Sequence, residues 1–157
     1  MEQTEQITVV PIDDKDKDIL NVLLRNSKYS LREIAKRVGL SVATVMNRVQ
    51  RLEKKGVIEE YGAMINYEKL GYDVQVIIEV QIAKGKLFQV QKKIAKHQNV
   101  FAVYDTTGDF DVVVVARFKN RRSMDGFLKK IQTYDFVIRT RTRLILNIIK
   151  EERIRVR

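Results

Sequence analysis

The chain has no cysteine, no tryptophan, one proline and one histidine among its 157 residues. Without cysteine there is no disulfide, no thiolate nucleophile and no sulfur-ligated metal, and a reducing cytoplasm is the simplest setting. The single histidine, His97, stands at a predicted helix end among lysines, without a partner for acid–base work, and is expected at the surface. No apolar run approaches the ~20 residues of a membrane span. The opening MEQTEQITVVPIDD lacks the basic region and long apolar core of a secretory leader. No phosphate-cradling glycine loop and no spaced set of metal ligands is present, so no catalytic residue, metal or cofactor is assigned. Few glycines, one proline and 32% charged residues fit a thermophile.

What is there is a basic chain with enough apolar content to fold. Hydrophobic residues make up 45% and the formal charge is +10, with a pI near 9.8. The length allows one large or two small domains. The charge calls for an anionic partner, of which nucleic acid is the commonest, or else reflects a basic solvated surface. Residues 1–65 carry 11 basic and 10 acidic side chains, and residues 66–157 carry 19 and 10. Within the first part, Lys28 to Lys55 holds 8 basic against 2 acidic residues, offset by Asp13, Asp14, Asp16 and Asp18 just upstream.

The segment YSLREIAKRVGLSVATVMNRVQRLEKKGVI, residues 29–58, is the most informative. Leu31, Ile34, Ala35 and Val38 share one helical face, and Val42, Val45, Met46, Val49 and Leu52 share another beyond Gly39. Ser30 and Ser41 stand where the two helices need N-caps. A short helix, a glycine turn and a second helix with a polar outer face describe a helix-turn-helix. A helix N-terminus meets base edges, so Ser41, Val42, Ala43, Thr44 and Asn47 are the candidates for base readout, while Arg48, Arg51 and Lys54 suit phosphates. Val42 is equally eligible for the core, and the arginines for a solvated helix face.

Before that segment, residues 1–11 read as a flexible tail, and a helix is predicted from about Asp13 to Asn26. After it, Gly56 is expected as a C-cap. Residues 57–65 alternate enough for a short strand pair or wing, completing a DNA-binding domain over 12–65, and residues 66–71 read as a linker. Residues 72–157 change period. Strands are predicted over Val74–Ile82, Val100–Thr106, Phe110–Phe118 and Val137–Ile149, with a Lys84-Gly85 turn and helices over Leu87–Lys96 and Met124–Gln132. The order βαββαβ is a ferredoxin-like unit. The fold class is therefore α+β: a winged helix-turn-helix followed by a ferredoxin-like domain. Such a unit has helices on one sheet face only, and the Val112–Val115 run leaves apolar side chains on the other. A second copy of the chain, giving a homodimer, is the expected cover, with the N-terminal domain as the alternative.

These features together resemble the Lrp/AsnC family of transcription regulators. The matching residues are Ile19-Leu20 with Leu23-Leu24, then LREIAKRVGLS with Arg48, Leu52, Gly56, Val57 and Ile58. The strand-turn-strand VYDTTGDFD, residues 103–111, and the final Arg139-Thr140-Arg141-Thr142 complete the set. The similarity runs from about Pro11 to Lys150. It implies a DNA-binding regulator that assembles as dimers and then tetramers, octamers or larger discs. It also implies a free amino-acid effector bound in the C-terminal domain near subunit contacts. By resemblance the pocket uses Tyr104, Thr106, Thr107, Gly108, Asp109 and Asp111, with Thr140 and Thr142 of the last strand. A zwitterion needs a carboxylate for its ammonium, which Asp109 or Asp111 offers, and hydroxyls or backbone N–H groups for its carboxylate. A metal held by Asp105, Asp109 and Asp111 is the competing reading of this turn, although Gly-Asp turns arise for conformational reasons alone. Arg139, Arg141 and Arg143 share one strand face. Family members more often carry an acidic or neutral residue near position 141, so an acidic effector is one reading of this triplet. The competing function is a ligand-sensing ferredoxin-like module that does not bind DNA itself.

Overall fold

A computed structural model describes residues 8–83 and 85–157. The first seven residues of the expected tail, and Lys84 of the expected turn, lie outside them. The chain divides into two units, one of residues 1–64 together with 151–157, the other of residues 65–150.

The first unit is built on three helices, α1 (Asp14–Arg25), α2 (Leu31–Val38) and α3 (Val42–Lys54). Each begins at a side-chain cap. Asp13 and Asp16 form a reciprocal capping box on α1, Ser30 and Glu33 do so on α2, and Ser41 accepts from the Thr44 N–H at 3.1 Å on α3. Gly39 ends α2 at φ +66°, a left-handed conformation that a side chain would strain, and so sets the turn into α3. Ile19, Ile34, Ala35, Val38, Val45 and Val49 form the buried core of this unit.

Three expectations change here. Met46, read as inward, is 39% exposed, and Val42 is 43% exposed. No strand or wing forms over residues 57–65. Val57 N–H closes the end of α3 on Leu52 O at 2.9 Å, after which no regular element forms until Glu68. Tyr61 then hydrogen-bonds Glu53 at 2.7 Å; burial, aided by that carboxylate, pushes its phenol up to about 12. Finally, residues 151–157, expected within a 72–157 domain, group with the first unit. The Asn21 side-chain amide donates to Val156 O at 2.9 Å and accepts from Val156 N–H at 3.0 Å. No periodicity announces such a pairing, because one amide matches a backbone segment of any sequence.

The second unit contains β1 (Val74–Ile82), α4 (Leu87–Ala95), β2 (Val100–Asp105), β3 (Val112–Phe118), α5 (Arg121–Gln132) and β4 (Val137–Leu144). The sheet order is β2-β3-β1-β4, with β1 antiparallel to both β3 and β4, which is the ferredoxin-like arrangement. Val76, Ile78, Val80, Val112, Val114 and Phe118 face α4 and α5, meeting Val90, Ile94, Phe127 and Ile131 in one core. The alternate positions Ile77, Val113 and Val115 are only half-buried, on the face that neither helix of this unit covers. α5 starts three residues ahead of its predicted start because Asn120 caps it, accepting from Ser123 N–H at 2.9 Å. β4 stops at Leu144, short of the expected Ile149. Ile145 N–H takes Gln75 O at 2.9 Å, and β1 begins at Val74, so further residues have no strand to pair with.

Candidate nucleic-acid interface and effector site

α3 buries Val45, Val49 and Leu52 against its own unit and turns the rest of its surface outward. Ser41, Val42, Ala43 and Asn47 are exposed and Thr44 is half-buried. Ser41 and Thr44 also bond each other through their hydroxyls at 2.8 Å, so both serve the cap as well as the surface. Asn47, Arg48, Arg51 and Thr44, with Asp13, line a shallow concavity on this face. Lys54 is exposed near the far end of the helix.

The two arginines are not free. Arg48 Nη1 donates to both carboxylate oxygens of Asp13, at 2.8 and 2.7 Å, and to Asp16 Oδ1 at 2.8 Å. Arg51 Nη2 bonds Asp16 Oδ2. Asp16 has no exposed surface, whereas Asp13 is 56% exposed at its side chain. Hydrogen bonds from Arg48 hold the Asp13 carboxyl below its usual range. Burial works to raise the Asp16 carboxyl, but its bonds to Arg48 and Arg51 prevail and it too is lowered. Both groups therefore contribute stability that is present above the ordinary carboxyl value and lost as the pH falls through their depressed ones. Residues predicted to meet phosphate are thus already ion-paired, and the partners Asp13 and Asp16 were missed as such. The available signal was their spacing. Two acids three apart at the start of one helix match two arginines three apart on another.

In the second unit the proposed effector residues separate. Thr107, Gly108 and Asp109 are exposed at the tip of the β2–β3 turn, with Gly108 at φ +114°. Thr106 Oγ1 donates to Phe110 O at 3.0 Å, which tightens the turn. Asp111 Oδ2 accepts from Ile82 N–H at 2.7 Å, so this carboxylate is committed to the sheet, whereas Asp109 is exposed. Tyr104 pairs with Val113, on the face away from the helices. Thr140 and Thr142 pair with the core residues Val80 and Ile78, on the helix-covered face, where Gln132 donates to Thr140 Oγ1 at 3.3 Å. β2 and β4 are opposite edges of the sheet. One chain by itself therefore does not gather these residues into a single pocket, because strand side chains alternate between faces. Among the described residues no group of three or more acidic, histidine or cysteine side chains is placed to hold a metal.

Arg139, Arg141 and Arg143 pair with Gln81, Glu79 and Ile77. Arg139 and Arg141 pack over the Phe110 ring at 4.7 and 4.6 Å from its centroid. Glu79 takes Arg143 at 3.2 Å and Arg141 at 3.8 Å. His97 is half-buried rather than a surface residue. Its ring lies 4.3 Å from that of Phe127, tilted by 46°, and its Nδ1 accepts from Asn99 N–H at 3.3 Å.

A capped helix presenting polar side chains, followed by a ferredoxin-like unit with an open sheet face, defines a DNA-binding regulator with an appended ligand domain. Residues 12–59 match the winged helix-turn-helix DNA-binding model, and residues 75–154 match the Lrp/AsnC ligand binding domain. An uncharacterized HTH-type transcriptional regulator of Pyrococcus abyssi is 39% identical over 90% of this chain and 96% of its own length. The HTH-type transcriptional regulator FL11 of Pyrococcus furiosus is 38% identical over 89% of this chain and 93% of its own. Among solved structures, E. coli AsnC superposes with a TM-score of 0.87 at 26% identity, covering 94% of this chain and all of that one. A Neisseria meningitidis transcriptional regulator in complex with L-Met superposes at 0.85 with 26% identity, covering 90% and 94%. The chain belongs to the Lrp/AsnC family and is a transcriptional regulator of that type.

Proposed function

We propose that this regulator reads a two-fold DNA site through the N-terminal half of α3 from each of two chains. Ser41, Val42, Ala43, Thr44 and Asn47 enter the major groove, and Lys54 meets the backbone. The observation that carries this reading is the outward placing of Ser41, Val42, Ala43 and Asn47, with Thr44 half-buried, opposite the buried apolar stripe of Val45, Val49 and Leu52. The chain acts without catalysis, in the cytoplasm where the chromosome lies. The half-buried Ile77, Val113 and Val115 support a dimer formed through the open sheet face, and higher assembly from such dimers.

The effector is a free amino acid whose ammonium meets Asp109 at the Thr106–Asp109 turn. The L-Met in the Neisseria relative supports that ligand class. A contact between copies would reunite the turn with Thr140 and Thr142, which one chain keeps apart.

The test starts from a duplex enriched from a randomised pool by the wild-type chain, with a scrambled duplex as control. Asn47 is exposed, so Asn47→Ala leaves the fold intact. It should cost about 1–3 kcal/mol against the enriched duplex and nothing against the scrambled one. Enrichment of no duplex would sink the reading.

A further inference from the structure

The buried Asp16 has no part in the DNA interface as proposed, yet it holds two side chains of the recognition helix. We infer that Asp16, seconded by Asp13, is a positioning residue that sets the rotation of α3 about its own axis and keeps Arg48 and Arg51 from acting as loose phosphate ligands. This rests on the reading of α3 as the DNA-contacting helix.

The apolar stripe of Val45, Val49 and Leu52 fixes α3 against its unit but is non-directional, since burial depends on area and not on angle. A helix with side chains has a radius of about 5–6 Å. A rotation of ~20° therefore carries side-chain ends by ~2 Å, beyond what a base-edge hydrogen bond tolerates. Charge-assisted hydrogen bonds are short and directional, and Arg48 makes them through Nη1 and Arg51 through Nη2. Arg48 lies one turn beyond Thr44 and Arg51 one turn beyond Asn47, so anchoring both to one carboxylate fixes the angle at which Asn47 and Thr44 are offered. Both Asp16 oxygens are engaged, one by Arg48 and one by Arg51 and the Asp13 N–H. Asp13 adds two contacts on Arg48 from the exposed side. Two carboxylates against two guanidiniums leave the cluster neutral, so it adds little to non-specific attraction. The base-contacting end of the helix then carries discrimination.

Three roles of Asp16 predict different outcomes. As a simple repulsive charge, its removal strengthens binding to every duplex equally. As a fold-stabilising group alone, its removal lowers the melting temperature and leaves the binding ratio and salt slope of the folded protein unchanged. As a positioning residue, its removal frees Arg51, leaves Arg48 on Asp13 alone and loosens the helix.

The experiment measures affinity for the enriched and scrambled duplexes over a range of salt, for the full-length wild type, Asp16→Asn and Asp13→Asn. Asn preserves the α1 cap at position 13, so that variant folds if Asp16→Asn does not. We expect the specific-to-scrambled ratio to fall tenfold or more in Asp16→Asn and severalfold in Asp13→Asn. Scrambled binding should acquire a steeper salt dependence, by roughly one per guanidinium released. A ratio within twofold of wild type in the folded variants would overturn the inference. Failure of the wild type to discriminate at all would instead condemn the function proposed above.

Discussion

His97 shows how one side chain acquires a property from its surroundings. Burial first, then the Lys130 charge, lowers its pKa below the ordinary 6.5. Its Nδ1 accepts a backbone hydrogen bond, so the neutral ring carries its proton on Nε2 and protonation costs that contact. A depressed pKa means that the folded state resists charging. Stability is complete above 6.5 and declines as the pH falls through the lowered folded value. Melting temperatures measured from pH 7.5 down to 5 should fall for the wild type and stay flatter for His97→Gln across the upper part of that window. Equal slopes would assign the loss to other groups. Asp13, Asp16 and Glu33 also have lowered pKa values, but they act at lower pH, near and below the carboxyl range.

At the scale of the element, α3 faces two ways. Leu52 is 1% exposed and Met46 39%, although both sit on the face that the sequence pattern marks as apolar. Leu52→Ala should cost about 2–5 kcal/mol through lost burial and a residual cavity. Met46→Ala should cost less than about 1 kcal/mol, as surface substitutions do. Chemical denaturation of the two variants distinguishes them, and equal losses would mean that the inward face of α3 is misplaced. The cap at Ser41 is a separate contribution, worth about 1 kcal/mol if removed, and its loss would weaken readout by fraying the end that carries Thr44.

At the scale of the whole molecule, the dimer proposed above would let the sheet face that α4 and α5 leave uncovered decide whether one helix or two reach the DNA. Val115 is half-buried at the centre of that face. Val115→Asp places a carboxylate among Ile77, Val113 and Ala102, where a second copy would desolvate it. Sedimentation should show smaller particles than wild type, and affinity for the enriched duplex should drop about 100-fold or more as two-site binding is lost. Unchanged assembly would mean that the dimer forms elsewhere. Substitutions at Thr107 and Asp109 should leave this assembly intact without effector, because both are exposed and Asp109 makes no side-chain bond to its own sheet among the described residues.

The helix-turn-helix and the βαββαβ order are legible in the chain alone. Helix caps, the Gly39 turn and the two hydrophobic periods are local properties, and local chemistry is enough to write them. It also placed Ser41, Ala43 and Asn47 on the outer face of α3, because helical period assigns faces directly. Tertiary structure decided what depends on partners distant in the chain. Arg48 and Arg51 read as free cations until the α1 carboxylates are brought to them, since an ion pair between helices has no local signature. Tyr104 and Thr140 read as pocket neighbours until strand order and pleat set them on opposite edges and faces. Residues 57–65 and 145–149 alternate like strands, yet a strand exists only where another offers its hydrogen bonds, and among the described residues these segments pair with none beyond the Ile145 N–H bond to Gln75 O.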